Sequence, residues 1–149
     1  MNILHIDYTL QLQSLDIYLS GCNGNPHCKN CHNPESWDFT KGKVYNELYF
    51  NKIKQQINDF DLLIHNIMIF GGEPLDNSHD ELLHLLFDLK MFNKKIWFFT
   101  RYGINEIPKE IKSFCNYIKT GRYIEELKCN DNIQYGIKLA TSNQKIYKL

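Results

Sequence analysis

Three thiols crowd the stretch Gly21-Cys22-Asn23-Gly24-Asn25-Pro26-His27-Cys28-Lys29-Asn30-Cys31-His32, with no fourth cysteine close by. A structural zinc site takes four protein ligands, and a 4Fe-4S cluster held for electron transfer takes four thiolates. Three thiolates instead suit a cluster with one open iron, and an open coordination position is where a metal centre binds a substrate or cofactor. Rival readings exist. Cys28-Lys29-Asn30-Cys31-His32 fits the C-x-x-C-H pattern of covalent haem attachment, and a C-x-x-C beside a β-α unit also serves as a redox pair of the thioredoxin type. Neither pattern employs Cys22, while zinc remains an option for the trio. Haem attachment belongs to exported chains, whereas Met1-Asn2-Ile3-Leu4-His5-Ile6-Asp7 has no basic segment, long apolar stretch or small-residue cleavage site.

A second candidate is Gly71-Gly72-Glu73-Pro74, which follows the continuous apolar run Asn66-Ile67-Met68-Ile69-Phe70. That run reads as a buried strand meeting a tight turn. The carboxyl ends of strands are where α/β sheets bind ligands. Two glycines permit positive φ and close approach of a ligand to the backbone, while Glu73 offers a carboxylate to an ammonium group. An ordinary Gly-Gly turn with an exposed Glu explains the motif equally well when it is taken alone.

Strands and helices must hold both motifs. Leu15-Asp16-Ile17-Tyr18-Leu19-Ser20 alternates and feeds the cysteine loop, so it reads as a strand. Val44 to Phe60 carries Leu48, Ile53 and Ile57 in a helical pattern. Ser78-His79-Asp80-Glu81 has capping-box spacing ahead of Leu82, Leu83, Leu85, Leu86 and Leu89, which predicts a second helix. Lys95 to Thr100 is a third strand, Pro108 to Phe114 a short helix, and Tyr117-Ile118-Lys119 a fourth strand. Gln134 to Thr141 and Gln144 to Tyr147 alternate around Ser142-Asn143, predicting a closing hairpin or edge strands. The alternation implies an α/β fold with a mainly parallel sheet and helices outside it. A complete eight-fold β/α barrel of the TIM type needs about 250 residues, so a single domain over residues 1–149 builds only part of one.

Composition narrows the partners. Seventeen Lys plus Arg balance seventeen Asp plus Glu, so no global field draws in nucleic acid or an anionic membrane surface. No apolar run reaches the roughly 18 residues of a membrane span. Five cysteines, three of them in one loop, point to a reducing cytoplasm. Cys115 reads as a small buried hydrophobe and Cys129 as a bystander thiol in a polar loop.

Beyond these local readings, the chain resembles the radical S-adenosylmethionine (SAM) enzymes. Within them it is most similar to the small activating enzymes of glycyl radical enzymes, such as the one serving the anaerobic ribonucleotide reductase. The supporting residues are Cys28 to Trp37, the Gly71 turn, Thr100-Arg101-Tyr102, Thr120 to Leu127 and Thr141-Ser142-Asn143-Gln144. Three departures stand out. Five residues separate Cys22 from Cys28 where the superfamily usually has three, Asn30 stands where an aromatic residue often precedes the last cysteine, and no Gly-Pro-Gly segment precedes the first strand.

The resemblance implies that Cys22, Cys28 and Cys31 ligate three irons of a 4Fe-4S cluster while SAM chelates the fourth. It implies cleavage of SAM to a 5′-deoxyadenosyl radical by an electron from a low-potential donor such as flavodoxin or ferredoxin. Gly71, Gly72, Glu73 and Pro74 would receive the methionine amino group, Lys119 the methionine carboxylate, and Thr100 the ribose. Ser142 and Asn143 would approach SAM from the terminal hairpin. Arg101 would mark a docking face, Trp37 and Tyr102 would pack the loop rims, and His27 and His32 receive no role. The expected product is a glycyl radical on a partner enzyme. The alternatives are a small radical SAM enzyme acting on a metabolite, peptide or modified nucleoside, and a non-catalytic iron-sulfur or zinc module.

Overall fold

The computed structural model describes residues 1–149. In chain order its first half comprises β1 (Asn2–Thr9), β2 (Ser14–Leu19), β3 (Lys43–Val44), α1 (Glu47–Asp59) and β4 (Asn66–Gly71). There follow α2 (His79–Lys90), β5 (Lys95–Phe99), α3 (Lys109–Phe114), β6 (Tyr117–Thr120), the short pair β7 (Ile133–Gln134) and β8 (Ile137–Lys138), and β9 (Lys145–Lys148). Seven strands form one sheet in the order β3-β1-β2-β4-β5-β6-β9. The four central strands, β2, β4, β5 and β6, run parallel, and β1, β3 and β9 close the edges antiparallel. The α/β class and a parallel sheet centre are therefore as the alternation of strands and helices predicts.

Period-two alternation divides the sheet into two faces. Leu15, Ile17 and Leu19 of β2, Ile67 and Ile69 of β4, and Ile96 and Phe98 of β5 share one core with Ile53 and Ile57 of α1 and Leu82, Leu85, Leu86 and Leu89 of α2. The helices cover this face. On the opposite face Met68, Trp97 and Ile146 pack with Leu139 in a smaller cluster. An aromatic row continues across that face, with Tyr18 and Phe70 centroids 5.2 Å apart and Phe70 and Phe99 centroids 4.2 Å apart.

Several boundaries differ from the sequence expectation for identifiable reasons. The first helix begins at Glu47 instead of Val44 because Val44 pairs with Asn2 in β3 and the Asn46 side chain caps the helix by accepting from the Tyr49 N–H at 3.0 Å. Ser78 does precede α2, yet its side chain makes no capping hydrogen bond. The terminal turn lies at Tyr135-Gly136, both with positive φ, between β7 and β8. Residues 142 and 143 instead lead into β9, which joins β6 at the sheet edge. β1, which pairs with β2 over most of its length, has no counterpart in the sequence reading.

Candidate functional site

The carboxyl ends of β2, β4, β5 and β6 open on one cavity of about 320 Å³. Cys22, Cys28 and Cys31 line it, as do Gly71, Gly72, Glu73, Thr100 and Lys119. Residues far apart in sequence are thus brought to one place by the parallel register of four strands. Pro74 is buried beside the cavity as the first residue of a single 3-10 turn, Pro74–Asp76.

The cysteine loop is stitched to its surroundings at several points. As β2 ends, the Gly21 N–H donates to the Ser36 carbonyl at 2.7 Å and the Cys22 N–H to the Trp37 carbonyl at 3.2 Å. Gly21 has φ of 100°, and a Cβ there would overlap the Phe39 ring. The His27 ring stacks on Trp37 with centroids 4.0 Å apart, and its Nε2 lies 3.1 Å from the Cys22 carbonyl oxygen. Trp37 thus packs the loop rim as expected. Across the cavity, Arg122 donates to the Pro26 carbonyl and the Asn30 amide donates to Glu125 at 3.2 Å. All three thiols are free and partly exposed. Burial pushes the Cys22 thiol pKa up, opposed by a hydrogen bond from the Gly24 backbone and by the Arg101 charge. No three His, Cys, Asp or Glu side chains converge tightly enough to hold a single metal ion.

The Gly71 turn has a different logic from the one its residue types suggest. Gly71 has φ of 130°, and a Cβ on it would strike the Leu19 backbone; a Cβ on Gly72 would strike the carbonyl of Gly21. Both glycines therefore admit the chain's own neighbouring strand and cysteine loop. The Gly72 N–H donates to the Leu19 carbonyl at 2.9 Å and the Glu73 N–H to the Gly21 carbonyl at 2.7 Å. These bonds fix the turn against the root of the cysteine loop.

Glu73 is not exposed; only 1% of it reaches solvent. Its Oε1 accepts from the Thr100 hydroxyl at 2.6 Å and the Leu75 N–H at 3.1 Å, and its Oε2 accepts from the Arg101 N–H at 2.7 Å. Burial raises its pKa, and these three donors partly offset the rise. Thr100 also accepts from the Tyr102 N–H at 3.1 Å, so its hydroxyl is engaged within the protein. Arg101, expected on a docking face, turns inward. Its Nη2 lies 3.0 Å from Asp76 Oδ2 and 2.9 Å from the Tyr102 hydroxyl oxygen. Tyr102 in turn donates to Asp76 at 2.7 Å.

Lys119 projects from β6 into the cavity, where its ammonium donates to the Gly121 carbonyl at 2.9 Å. Burial lowers its pKa to about 8 despite the opposing influence of Glu73 and Cys28. Ser142 and Asn143 do not line the cavity. Both are exposed, and the Asn143 amide donates to the Arg122 carbonyl at 2.9 Å. Their neighbours Ala140 and Gln144 take that wall. Gln144 is buried, accepts from the Ala140 and Thr141 N–H groups and reaches the Gly121 carbonyl at 3.3 Å. The sequence signals for it are its place at the start of the final alternating segment and in the Thr141-Ser142-Asn143-Gln144 stretch. Cys115 is buried with its thiol donating to the Ile111 carbonyl, and burial pushes its pKa to about 12. Cys129 lies outside the cavity.

Comparison with known proteins places the chain in a family. The family model for the 4Fe-4S single cluster domain matches residues 14–147. The chain is 28% identical over 116 residues to the anaerobic ribonucleoside-triphosphate reductase-activating protein of Haemophilus influenzae, covering 74% of each chain. It is 24% identical over 143 residues to the protein of the same name from Pasteurella multocida, covering 89% of this chain and 85% of the relative. No solved structure matches. The matched span reaches from the first residue of β2 into β9 and includes every cavity-lining segment, so the chain belongs to the 4Fe-4S single cluster domain family.

Proposed function

We propose that this chain is a radical SAM activating enzyme that generates a glycyl radical on a partner such as the anaerobic ribonucleotide reductase. The observation that carries the reading is the meeting of three free thiols with the Gly71–Glu73 turn and a half-buried lysine around one cavity. Similarity to two proteins named as activators of anaerobic ribonucleoside-triphosphate reductase supports the choice of partner. We read the four parallel strands as part of a β/α barrel, a fold whose sites lie at this end of its strands.

The residues present fit the cofactors. Thiolates are the ligands of iron-sulfur clusters, and three free thiols line this one cavity. The cavity of about 320 Å³ falls within the usual range of small-molecule sites, about 300–1,000 Å³. When bound, the cluster and SAM supply a 5′-deoxyadenosyl radical able to take a hydrogen atom from a glycine of the partner.

Cys22, Cys28 and Cys31 hold the irons in this reading. The Lys119 ammonium offers a buried positive charge to the methionine carboxylate, where low dielectric strengthens the pairing. Glu73 keeps one acceptor position after three hydrogen bonds, from about four on a carboxylate, with Arg101 Nε 3.9 Å from its Oε2, and that position is assigned to the methionine amino group. Thr100 orients Glu73 through its hydroxyl proton and, after accepting from the Tyr102 N–H, keeps one acceptor position for a ribose hydroxyl. Gln144 lines the cavity from the closing segment and joins Ser142 and Asn143 as a candidate contact. Trp37, Phe70 and Phe99 line the cavity and keep water from the reacting atoms. The electron comes from a low-potential donor such as flavodoxin or ferredoxin, in a reducing cytoplasm consistent with five free cysteines.

Anaerobic reconstitution should give about four irons per chain. With SAM and a low-potential reductant the protein should release 5′-deoxyadenosine, and with its partner present a glycine-centred doublet should appear in the electron paramagnetic resonance spectrum. A chain that binds one zinc tightly and never assembles a cluster would overturn this reading.

A further inference from the structure

The cysteine loop needs a fixed point close to its first ligand, and Asp76 supplies one. Its carboxylate sits at the end of the turn that follows Glu73, with the side chain 4% exposed. Oδ2 accepts from the N–H of Asn23, the residue after Cys22, at 2.6 Å. Oδ1 accepts from the Tyr102 hydroxyl at 2.7 Å, and Arg101 Nη2 lies 3.2 and 3.0 Å from the two oxygens. A single buried carboxylate therefore joins the cysteine loop to the segment that follows β5. Arg101 and Tyr102 hold it from behind and leave Oδ2 aimed at the loop.

We infer that Asp76 is a positioning residue for Cys22: it sets the path of the loop at Asn23 before any cluster is present, and its negative charge, balanced by Arg101, tunes the electrostatics beside the first thiolate. The second half of this inference rests on the radical SAM reading above; the first half does not. Asp76 does not line the cavity, so its effect passes through Asn23 and Arg101. A hydrogen bond to a buried charged acceptor is about twice as strong as a neutral one, and losing it should free the Asn23 amide roughly tenfold or more.

Two measurements separate the halves. In the reduced apoprotein, hydrogen exchange at the Asn23 amide should be at least about tenfold faster in Asp76→Ala than in the parent, and clearly slower in Asp76→Asn, which keeps one acceptor, than in Asp76→Ala. In the reconstituted protein, iron should be lost to a chelator faster in Asp76→Ala, and the cluster potential should move in the positive direction in both variants because both remove the charge that balances Arg101. Tyr102→Phe removes one brace without touching the loop; should Asp76→Ala fail to fold, this variant takes its place, with a smaller rise in Asn23 exchange expected. Unchanged Asn23 exchange in the folded variant tested overturns the tether. Unchanged potential in Asp76→Asn overturns the charge role. If the parent assembles no cluster at all, the radical SAM reading and the charge role fall together, while the exchange experiment still decides the tether.

Discussion

Replacing Glu73 by Ala should destabilise the fold more than a residue serving only as a cofactor ligand would. The substitution leaves the Leu75 and Arg101 N–H groups and the Thr100 hydroxyl without their acceptor. Each unsatisfied buried donor costs about 1–3 kcal/mol. Thr100 can rotate toward another acceptor and water from the cavity can reach part of the space, so the expected loss is about 3–5 kcal/mol. Total stabilities run roughly 5–15 kcal/mol, so the variant would sit close to unfolding. Urea denaturation of the reduced apoprotein at neutral pH measures this without any cofactor. Glu73→Gln, which keeps the shape and one acceptor, should lose about half as much. The pH dependence is a second signature. Because burial raises the folded pKa of Glu73, the folded chain holds that proton more tightly than the unfolded chain. Its contribution is fully present below about pH 4.3 and declines as pH rises through the raised folded value. Glu73→Gln should lack this component. A loss under about 1 kcal/mol in Glu73→Ala would refute the structural role and return Glu73 to the status of a pure ligand.

Gly72→Ala should destabilise the apoprotein by about 1–3 kcal/mol or more, read as a lowered Tm, because its Cβ meets the Gly21 carbonyl. Lys119 is protonated at neutral pH at a burial cost; with its pKa lowered to about 8 from about 10.4, its contribution is fully present above about pH 10.4 and is lost as pH falls through 8. Lys119→Met should therefore stabilise the apoprotein at pH 7, read as a raised Tm, while weakening SAM binding in a calorimetric titration. Substituting Cys22, Cys28 or Cys31 by Ala should abolish cluster assembly measured as bound iron and sulfide, whereas Cys129→Ala should leave it intact and Cys115→Ala should cost only about 1 kcal/mol of packing.

The two motifs were legible because their chemistry is carried by residue types close together in sequence. Three thiols in one loop and two glycines before a glutamate need no tertiary information to be noticed. Their supports were not legible. Asp76 meets Asn23 across 53 positions and Arg101 across 25, and an aspartate in a loop looks like any solvated residue until those partners are known. The same holds for Glu73, whose burial depends on the Thr100 hydroxyl and the Arg101 backbone arriving from β5. The central strands β4 and β5 were readable as continuous apolar runs because both of their faces are covered. β1 was not, since its edge position leaves Leu4, Asp7 and Tyr8 at least partly exposed and blurs the alternation. The alternation on both sides of Ser142-Asn143 suggests a turn there, whereas the positive φ of Tyr135 and Gly136 puts it earlier.

The clasp between the cysteine loop and the segment after β6 has a bearing on biogenesis. Pro26 and Asn30 are held by Arg122 and Glu125, which are synthesised long after the cysteines themselves. Chains emerge from the ribosome amino end first, so the three thiols emerge before Asp76 and well before Lys119 and the clasp. The loop therefore gains its full set of supports only after the segment through Glu125 has emerged, and until then the thiols depend on the reducing power of their surroundings for protection.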